Sequence, residues 1–320
     1  MLAELLLPGI VAFFATFFII PSFIRKFKSI GMTGQDVHKK GKPEIAEMGG
    51  VPILIGFIIG YLFIAYFFIN FIIDISAIIT TIVLAAAIGI IDDRSGIRQR
   101  TKAILPAFAA VPLMLIQAGH HTMFIPFIGN FNFGVIYPFI LIPLAITVVS
   151  NAFNMLAGYN GLEAGLGTIA CFFMGVASFI TGSTLIASFL FCLSGALAAF
   201  LYYNKYPSKI FIGDTGVFIT GCAIAISAIM ANLEVIGMIL IAPHIINGAL
   251  TTTDILRGRT IEKFARTDKD GYIKPPGKGK VRTLYFFIAG IRKTTEKQLV
   301  REIWAFEIVC GLIAILFLIA

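Results

Sequence analysis

The stretch LAELLLPGIVAFFATFFIIPSFIRKFK, residues 2–28, decides the fold class. Residues 2–24 are almost all apolar, and a helix of this length crosses the roughly 30 Å hydrocarbon core of a bilayer. Three cations, Arg25, Lys26 and Lys28, follow at once. Because the run lacks the basic start and the small-residue cleavage site of a secretory signal, we interpret it as a retained membrane span.

The composition extends this interpretation to the whole chain. Of its 320 residues, 58% are hydrophobic and 13% are charged, and the mean hydropathy is +0.93. A soluble domain of this size does not need so much apolar sequence. We therefore predict an all-α polytopic membrane protein that forms one integral-membrane catalytic domain, residues 1–320, with about ten transmembrane helices. The predicted spans are 3–24, 49–70, 73–91, 103–118, 136–153, 162–181, 184–203, 216–231, 234–254 and 301–320.

The positive charges predict the orientation. With ten spans, both termini lie on one side of the membrane. All 25 Lys and Arg residues fall in, or at the edge of, the loops on the other side. The positive-inside rule places those loops in the cytoplasm and both termini outside. The cytoplasmic loops are 25–48, 92–102, 154–161, 204–215 and 255–300. The net charge of +8 follows from this topology, and we expect no nucleic-acid partner because no nucleic-acid-binding module accompanies it.

An acidic pair next to a basic cluster ends the third predicted span. The stretch GIIDDRSGIRQRTK, residues 89–102, brings Asp92 and Asp93 close to Lys102. Carboxylates hold Mg²⁺ or act as bases, and Lys and Arg bind phosphate oxygens, so this stretch suits a phosphorylated substrate. The alternative is an ordinary charged border at the end of a span.

Two further cytoplasmic stretches carry an acid beside glycines. KYPSKIFIGDTG, residues 205–216, places Asp214 in a tight turn that opens the next helix. A helix N-terminus favours bound anions, which Asp214 can bridge through Mg²⁺, although an ordinary capping aspartate is the alternative. KKGKPEIAEMGGVP, residues 39–52, places Glu47 before two glycines. That pair either lets a ligand approach the backbone closely or marks a plain loop-to-helix junction.

The stretch NAFNMLAGYNGLEAGLG, residues 151–167, concentrates amides between two predicted spans. It holds Asn151, Asn154, Asn160 and the acid Glu163. Amide oxygens coordinate Mg²⁺, and amides pair with both donors and acceptors of a nucleobase. Hydrogen bonding between helices is the alternative, but it needs only one or two amides. We therefore favour a binding function, with Asn151 and Glu163 in structural roles.

Four stretches, PEIAEMGG, DDRSGIRQRTK, NAFNMLAGYNGLEAG and FIGDTG, together resemble the polyprenyl-phosphate N-acetylhexosamine-1-phosphate transferases. The resemblance is strongest to the eukaryotic and archaeal dolichyl-phosphate GlcNAc-1-phosphotransferase branch. It implies that a polyprenyl (dolichyl-type) phosphate attacks the β-phosphorus of UDP-GlcNAc, which gives polyprenyl-diphospho-GlcNAc and UMP. This reaction is the first membrane step of N-glycan-like assembly. The resemblance also implies Mg²⁺ as the cofactor, with Mn²⁺ as a substitute, and it allows a homodimer.

The same resemblance implies roles for individual residues around the nucleotide. Asn154 and Asp214 resemble the metal ligands of the family. Asn160 resembles the residue that pairs with uracil. Phe211 resembles the aromatic residue on which uracil stacks, with Gly158 in the same pocket.

A second set of roles concerns the phosphates and the sugar. Lys102 resembles a phosphate-binding lysine, and Glu47 a polar contact near the active site. Asp92 and Asp93 match the aspartate pair of the family, with Asp92 at the lipid phosphate. A phosphomonoester has a second pKa of about 6 and is already ionised at neutral pH, so Asp92 either acts as a base or positions the substrate. Arg266 aligns loosely with the arginines that contact the diphosphate and the sugar.

The last cytoplasmic loop departs from part of the family. RGRTIEKFARTDKDGYIKPPGKGK, residues 257–280, contains no histidine, whereas the bacterial branches carry a His-rich motif there. This difference argues against MurNAc-pentapeptide as the sugar. The compact loop favours a prokaryotic plasma membrane over the endoplasmic reticulum, with the active site facing the cytoplasm.

Three alternatives stay open at this point. The first is the same chemistry with another UDP-N-acetylhexosamine. The second is a nucleotide-sugar transporter, although transporters bind near the membrane midplane and the polar motifs here cluster at one surface. The third is a scaffold without catalysis, which is expected to have lost the aspartates and amides that this chain retains.

Overall fold

The computed structural model describes residues 2–39, 41–125, 127–260, 266–274, 277, 279–280 and 282–320, and helices dominate this part of the chain. The α-helices are α1 (Leu2–Ser29), α2 (Gly50–Phe67), α3 (Ile72–Ser95), α4 (Gln99–Ile104), α5 (Pro106–Ala109), α6 (Val111–Leu115), α7 (Ile142–Met155), α8 (Leu162–Ile180), α9 (Thr184–Asn204), α10 (Gly213–Met230), α11 (Glu234–Leu240), α12 (Ala242–Leu256), α13 (Leu284–Ile291) and α14 (Glu296–Ile319). Three antiparallel hairpins lie in the connections: β1 (Thr33–Gln35) with β2 (Glu44–Ala46), β3 (Thr122–Ile125) with β4 (Gly129–Asn132), and β5 (Arg266–Thr267) with β6 (Ile273–Lys274).

Eight helical segments of the described chain are long and apolar enough to cross a membrane. Six of them are α1, α2, α8, α9, α10 and α14. The other two are Ile69–Ser95, in which a 3₁₀ turn precedes α3, and Tyr137–Met155, in which a π-helical turn precedes α7. The chain is therefore a multi-pass integral membrane protein, which confirms the predicted fold class.

The span predicted over 103–118 is interrupted, although the segment still runs from one end of the bundle to the other. Lys102 lies beside Asp214 in the first turn of α10, and Gly119 lies against the carbonyl of Ile229 near the end of that helix. The chain there forms the short helices α4, α5 and α6, none of which is long enough to cross a bilayer. Pro106 is the first residue of α5, and Pro112 is the second residue of α6. Proline has no N–H to donate and fits the first turn of a helix, so each proline starts a new helix instead of continuing the previous one.

The span predicted over 234–254 is bent. α11 and α12 meet at Ile241, and their axes differ in direction by 72°. Pro243 lies in the first turn of α12 and cannot donate a hydrogen bond back into α11. With this bent pair counted as one crossing, up to nine helical segments of the described chain are long and apolar enough to span the membrane, and the interrupted segment 103–118 is not among these nine.

α10 lies at the centre of the helix bundle and packs against α2, α3, α7 and α8. Two glycines of neighbouring helices let their backbones touch the start of α10. A Cβ atom added to Gly50 would lie 2.1 Å from the nitrogen of Gly216, and one added to Gly89 would lie 2.3 Å from Cα of Thr215. The two glycines allow α2 and α3 to approach the start of α10 this closely, and the three helices therefore converge at one end of the bundle.

A buried ionisable pair interrupts the apolar interior of the bundle. Nδ1 of His244 in α12 lies 3.8 Å from Oε2 of Glu307 in α14, and both side chains are almost fully buried. The His244 ring also stacks on Phe153, with 3.9 Å between the ring centroids. Within the described part of the chain, neither carboxylate oxygen of Glu307 has a hydrogen-bond partner.

Candidate active site

Four helix ends bring five predicted site residues together. Asp92 and Asp93 lie in the last turn of α3, and Lys102 lies in α4. Asn154 lies near the end of α7, and Asp214 lies in the first turn of α10. The three motifs that carry these residues are far apart in the sequence, and the fold unites them at the end of the bundle where α2, α3 and α10 converge.

Lys102 is the cation at the centre of this group. Its Nζ atom lies 2.5 Å from Oδ2 of Asp92 and 2.7 Å from Oδ2 of Asp214. Burial acts to lower the pKa of Lys102, but the two carboxylates outweigh it and hold the pKa above its ordinary value. Lys102 therefore stays charged at neutral pH and is suited to bind phosphate oxygens.

The side-chain amide of Asn154 lies between Lys102 and Asp214. In one orientation its Nδ2 donates to Oδ1 of Asp214 at 2.8 Å, and its Oδ1 accepts from Nζ of Lys102 at 3.0 Å. In the reversed orientation, the oxygens of Asn154 and Asp214 lie 2.8 Å apart. Two oxygens at that distance repel each other unless a cation binds both, and adjacent oxygens around Mg²⁺ are about 3 Å apart. The amide and carboxylate oxygens therefore fit an Mg²⁺ ion, while the hydrogen-bonded orientation satisfies the same atoms without one.

Asp93 faces the start of α10 rather than the cluster around Lys102. Its Oδ1 accepts from the backbone N–H of Asp214 at 2.7 Å, and its Oδ2 accepts from the N–H and the hydroxyl of Thr215 at 3.1 and 2.6 Å. The turn that allows this contact needs Gly213, whose φ is +70° and whose added Cβ would lie 2.7 Å from Oδ2 of Asp93. Asp93 is thus placed to hold Asp214 in position.

The turn after α3 fixes the direction of Asp92. Its Oδ1 accepts from the backbone N–H of Ile97 at 2.6 Å. Gly96 adopts a left-handed φ of +64° and donates its N–H to the backbone carbonyl of Asp92 at 2.9 Å. With Oδ1 held by the turn, the other oxygen points to Lys102.

Glu47 and Phe211 lie on adjacent backbone segments beside this cluster. The N–H of Phe211 donates to the carbonyl of Ala46, and the N–H of Gly49 donates back to the carbonyl of Phe211, both at 2.8 Å. Burial and the nearby charge of Asp93 raise the pKa of Glu47. Glu47 therefore lies within electrostatic reach of Asp93, and its contact with the substrate stays a prediction.

Glu163 forms a hydrogen bond with the backbone of the loop between α7 and α8. The backbone N–H of Gly158 donates to Oε1 of Glu163 at 2.7 Å. Gly158 has φ +119°, and a Cβ added there would meet no atom of the described chain within 4 Å, so the space beside it is open. Asn151 donates to the backbone carbonyls of Thr147 and Ala103 at 2.8 and 3.1 Å. The structural roles expected for Glu163 and Asn151 are confirmed.

Asn160 belongs to a second polar group, which we name the Asn160 network: Asp36, Lys39, Asn160 and Glu296. Nδ2 of Asn160 donates to Oδ2 of Asp36 at 2.9 Å, and its backbone N–H donates to Oε1 of Glu296 at 2.8 Å. Nζ of Lys39 lies 3.1 Å from Asp36 and 2.7 Å from Glu296. The sequence interpretation missed three of these four residues, because only their contacts distinguish them from other loop charges.

Lys39 neutralises the acids of the Asn160 network without a metal ion. Ligating atoms of Asp36, His38 and Glu296 lie within 4.8 Å of one another. The ammonium of Lys39 already bridges both carboxylates and supplies the positive charge that a metal ion would bring. His38 instead stacks on Tyr159 with 4.9 Å between centroids, and burial lowers its pKa despite the neighbouring acids, so it is neutral at pH 7.

Asn204 ties the loop of Asn160 to the segment of Phe211. Its Oδ1 accepts from the N–H of Gly161 at 3.1 Å, and its Nδ2 donates to the carbonyl of Ile210 at 2.8 Å. One buried side chain at the end of α9 therefore connects the neighbours of the two residues that sequence resemblance assigns to uracil.

The last loop is anchored beside Asn154. Asn247 donates to the carbonyl of Met155 at 2.8 Å and accepts from the N–H of Leu284 at 3.0 Å, and it thereby joins α7, α12 and α13.

Further along the last loop, the carboxylate of Asp254 accepts from Nε of Arg282 at 3.0 Å and holds the pKa of Arg282 above its ordinary value. The backbone of Arg266 pairs with Lys274 in the β5–β6 hairpin, but its side chain lies outside the described residues. The role of Arg266 stays a prediction.

Comparison with known proteins adds to this geometry. The model of the family described as "Glycosyl transferase family 4" matches residues 75–232. A protein of Saccharolobus solfataricus named "Putative UDP-N-acetylglucosamine--dolichyl-phosphate N-acetylglucosaminephosphotransferase" is 35% identical over 317 residues, which are 98% of this chain and 96% of the relative. The chain belongs to glycosyl transferase family 4. It is a glycosyl-1-phosphate transferase, as the sequence predicts.

Two further relatives come from other organisms. A UDP-N-acetylglucosamine–dolichyl-phosphate N-acetylglucosaminephosphotransferase of Dictyostelium discoideum is 29% identical over 72% of this chain and 67% of the relative. A phospho-N-acetylmuramoyl-pentapeptide-transferase of Halalkalibacterium halodurans is 31% identical over 82% of this chain and 86% of the relative. Relatives named for different sugars thus resemble this chain to a similar degree.

Proposed function

We propose that this enzyme transfers GlcNAc-1-phosphate from UDP-GlcNAc to a membrane polyprenyl phosphate of the dolichyl type, which gives polyprenyl-diphospho-GlcNAc and UMP. The observation that carries the proposal is the contact of Lys102 with Asp92, Asp214 and Asn154. A fixed cation beside two carboxylates and an amide oxygen is the donor set that a diphosphate and a divalent cation require. The dolichyl-type acceptor and GlcNAc follow the names of the archaeal and Dictyostelium relatives.

Asn154 and Asp214 are the residues that would hold Mg²⁺, or Mn²⁺ in its place. When bound there, the ion would supply positive charge that offsets the negative charge of the diphosphate. Lys102 contributes a second positive charge from the protein itself. Asp92 orients Lys102, and Asp93 orients the start of α10, so both aspartates act on the residues that contact phosphate.

The hydrogen bonds of the two aspartates favour direct attack by the lipid phosphate. Asp93 accepts three hydrogen bonds, and Asp92 accepts one from Ile97 and pairs with Lys102, so neither carboxylate is free to attack phosphorus. An oxygen of the lipid phosphate forms the new bond to the β-phosphorus. The bond from the β-phosphorus to the oxygen shared with the α-phosphate breaks, and UMP leaves with that oxygen. The attacking phosphate has a second pKa of about 6 and needs no strong base at neutral pH.

The site lies at helix ends, where both substrates can reach it. UDP-GlcNAc arrives from water, and the lipid phosphate arrives sideways within the membrane surface. We place this end in the cytoplasm on the charge distribution of the loops, and the protein in the plasma membrane on the compactness of the last loop. Broken helices such as α11–α12 also occur in transporters, but the transporter alternative requires a site near the midplane rather than at helix ends.

The proposal is tested with purified protein, polyprenyl phosphate and a panel of UDP-sugars. We expect UMP release that requires the lipid and Mg²⁺ and that is fastest with UDP-GlcNAc. A higher rate with UDP-MurNAc-pentapeptide would change the sugar but keep the reaction. Uptake of intact UDP-sugar into vesicles without UMP release would replace the proposal with the transporter.

A further inference from the structure

Asp36 holds the side-chain amide of Asn160 in one orientation. The two groups are 2.9 Å apart, and both residues are about 95% buried, with 4% and 5% of their surfaces exposed. A carboxylate only accepts hydrogen bonds, so the atom of Asn160 that faces it must be the Nδ2 donor. The carbonyl oxygen of the amide then points the other way, and no described residue donates to it.

Lys39 and Glu296 keep Asp36 in place. Lys39 pairs with both carboxylates, and its ammonium also lies 4.0 Å from the ring centroid of Tyr206. Glu296 additionally accepts the backbone N–H of Asn160. The backbone N–H and one side-chain N–H of Asn160 are therefore directed into the protein, and its carbonyl oxygen accepts from no described residue.

The loop between α7 and α8, which carries Asn160, has open space beside it. Gly158, two residues before Asn160, has nothing of the described chain within 4 Å of an added Cβ. The segment of Phe211 is tied to the same loop through Asn204. A flat base that enters between these segments meets the carbonyl oxygen of Asn160, which is an acceptor.

We propose that Asp36 is a positioning residue that selects the nucleobase. By accepting a hydrogen bond from Nδ2 of Asn160, Asp36 turns the carbonyl oxygen of the amide toward the ligand, where it pairs with the N3–H of uracil. Cytosine carries an acceptor at N3, so two acceptors face each other and the base is rejected. The inference rests on the proposed function, with a UDP-sugar as the donor, and on the sequence resemblance that assigns Asn160 to the base.

Direct binding measures this selection without turnover. Isothermal titration of the detergent-purified enzyme with UMP, CMP and N3-methyl-UMP, in the presence of Mg²⁺, gives three dissociation constants. We expect wild-type protein to bind UMP about tenfold or more tightly than either analogue, the effect of one buried hydrogen bond. In Asp36→Leu the amide can rotate, and the preference for UMP over CMP should fall to about two- to threefold.

Two variants separate orientation from charge. Asp36→Asn keeps an acceptor for Nδ2, because the neighbouring Lys39 favours the amide oxygen at that position, and it should retain the preference for UMP. Glu44→Leu removes an exposed carboxylate from the same hairpin and should leave all three constants unchanged.

A charge exchange covers the case in which Asp36→Leu does not fold. Asn160→Asp places two carboxylates together and should weaken UMP binding. The double variant Asp36→Asn with Asn160→Asp restores a donor–acceptor pair and leaves an acceptor for the base. Recovery of the UMP preference in the double variant supports the inference, and absence of recovery overturns it.

The outcomes also distinguish this inference from the proposed function. An unchanged UMP-to-CMP ratio in Asp36→Leu overturns the positioning role, even if lipid-dependent UMP release is intact. Equal binding of UMP and CMP by wild-type protein overturns it as well. A wild-type UMP preference that depends on Asp36, in a protein that never releases UMP from a UDP-sugar, supports base selection and overturns the transfer reaction.

Discussion

Thr215 gives both its backbone N–H and its hydroxyl to one oxygen of Asp93, at 3.1 and 2.6 Å. The pair joins the end of α3 to the start of α10, one residue from Asp214. Asp93 therefore acts on the site through the helix that carries Asp214. This relationship gives the acidic pair two different tasks, with Asp92 at the lysine and Asp93 at the helix start.

Replacing Thr215 by valine tests that division. The change removes a hydroxyl that donates to a charged acceptor, an interaction of about 1.5–3 kcal/mol, and keeps the side-chain shape. We expect kcat/KM for UDP-GlcNAc to fall about tenfold or more. Thr220→Val is the matched control, because its buried hydroxyl on the same helix donates only to the carbonyl of Gly216. Equal activity in the two variants would contradict the role of Asp93.

The metal assignment is tested by the amount of Mg²⁺ that half-maximal activity requires. Asn154→Ala removes one oxygen ligand, so we expect the requirement to rise about tenfold or more. Asn151→Ala, on the same helix, removes an amide that bonds only to backbone carbonyls and should leave the Mg²⁺ requirement unchanged. Chelation of divalent cations should abolish UMP release, and readdition of Mg²⁺ should restore it. Full activity in chelator would show that no metal is needed.

Glu47 should make the stability depend on pH. Burial and the charge of Asp93 raise the pKa of Glu47 in the folded state. The folded protein therefore binds this proton more tightly than the unfolded chain does. The ionised carboxylate therefore destabilises the fold as pH rises above the unfolded value, near 4.3. Glu47→Gln should raise the Tm at pH 8 in chelator, and the difference from wild type should vanish near pH 4. A lower Tm of the variant at pH 8 would mean that the carboxylate is stabilised by contacts that outweigh its burial.

The buried Glu307 is expected to cost stability. Its two oxygens lack hydrogen bonds among the described residues, and His244 is 3.8 Å away. Glu307→Leu keeps the volume similar and removes the buried polar group, so unfolding should become less favourable by about 1–3 kcal/mol. The control Glu302→Leu on the same helix breaks a partly exposed pair with Arg292 and should change stability by less than about 1 kcal/mol. A lower Tm in Glu307→Leu would indicate that His244 and Glu307 stabilise each other.

The sequence predicted the spans well where a helix runs without proline in its interior turns. It did not predict the interruptions within 103–118 and 234–254, where prolines restart the helix, because hydropathy alone does not register a missing N–H. α1 contains Pro8 and Pro21 and is nevertheless continuous, so proline by itself does not predict a break. Packing against neighbouring helices decides between the two outcomes, and a single sequence does not contain that information.

The candidate site was predictable to the extent that its residues lie in short motifs. Asp92, Asp214 and Asn154 each stand among polar neighbours, which made them visible. The Asn160 network joins residues 124, 136 and 257 positions apart, and its charges resemble those of any cytoplasmic loop. The task of Asp93 was likewise hidden, because it depends on the N–H groups of a distant helix.

The central claim is that the sugar moves together with the β-phosphate. UDP-GlcNAc labelled with ³²P at the β-phosphate and ¹⁴C in the sugar tests it in one extraction of the lipid product. The account predicts ³²P and ¹⁴C in the polyprenyl lipid in equal molar amounts, dependent on Mg²⁺ and lost in Asp214→Ala. Lipid that carries ¹⁴C without ³²P, with UDP as the released nucleotide, would contradict it.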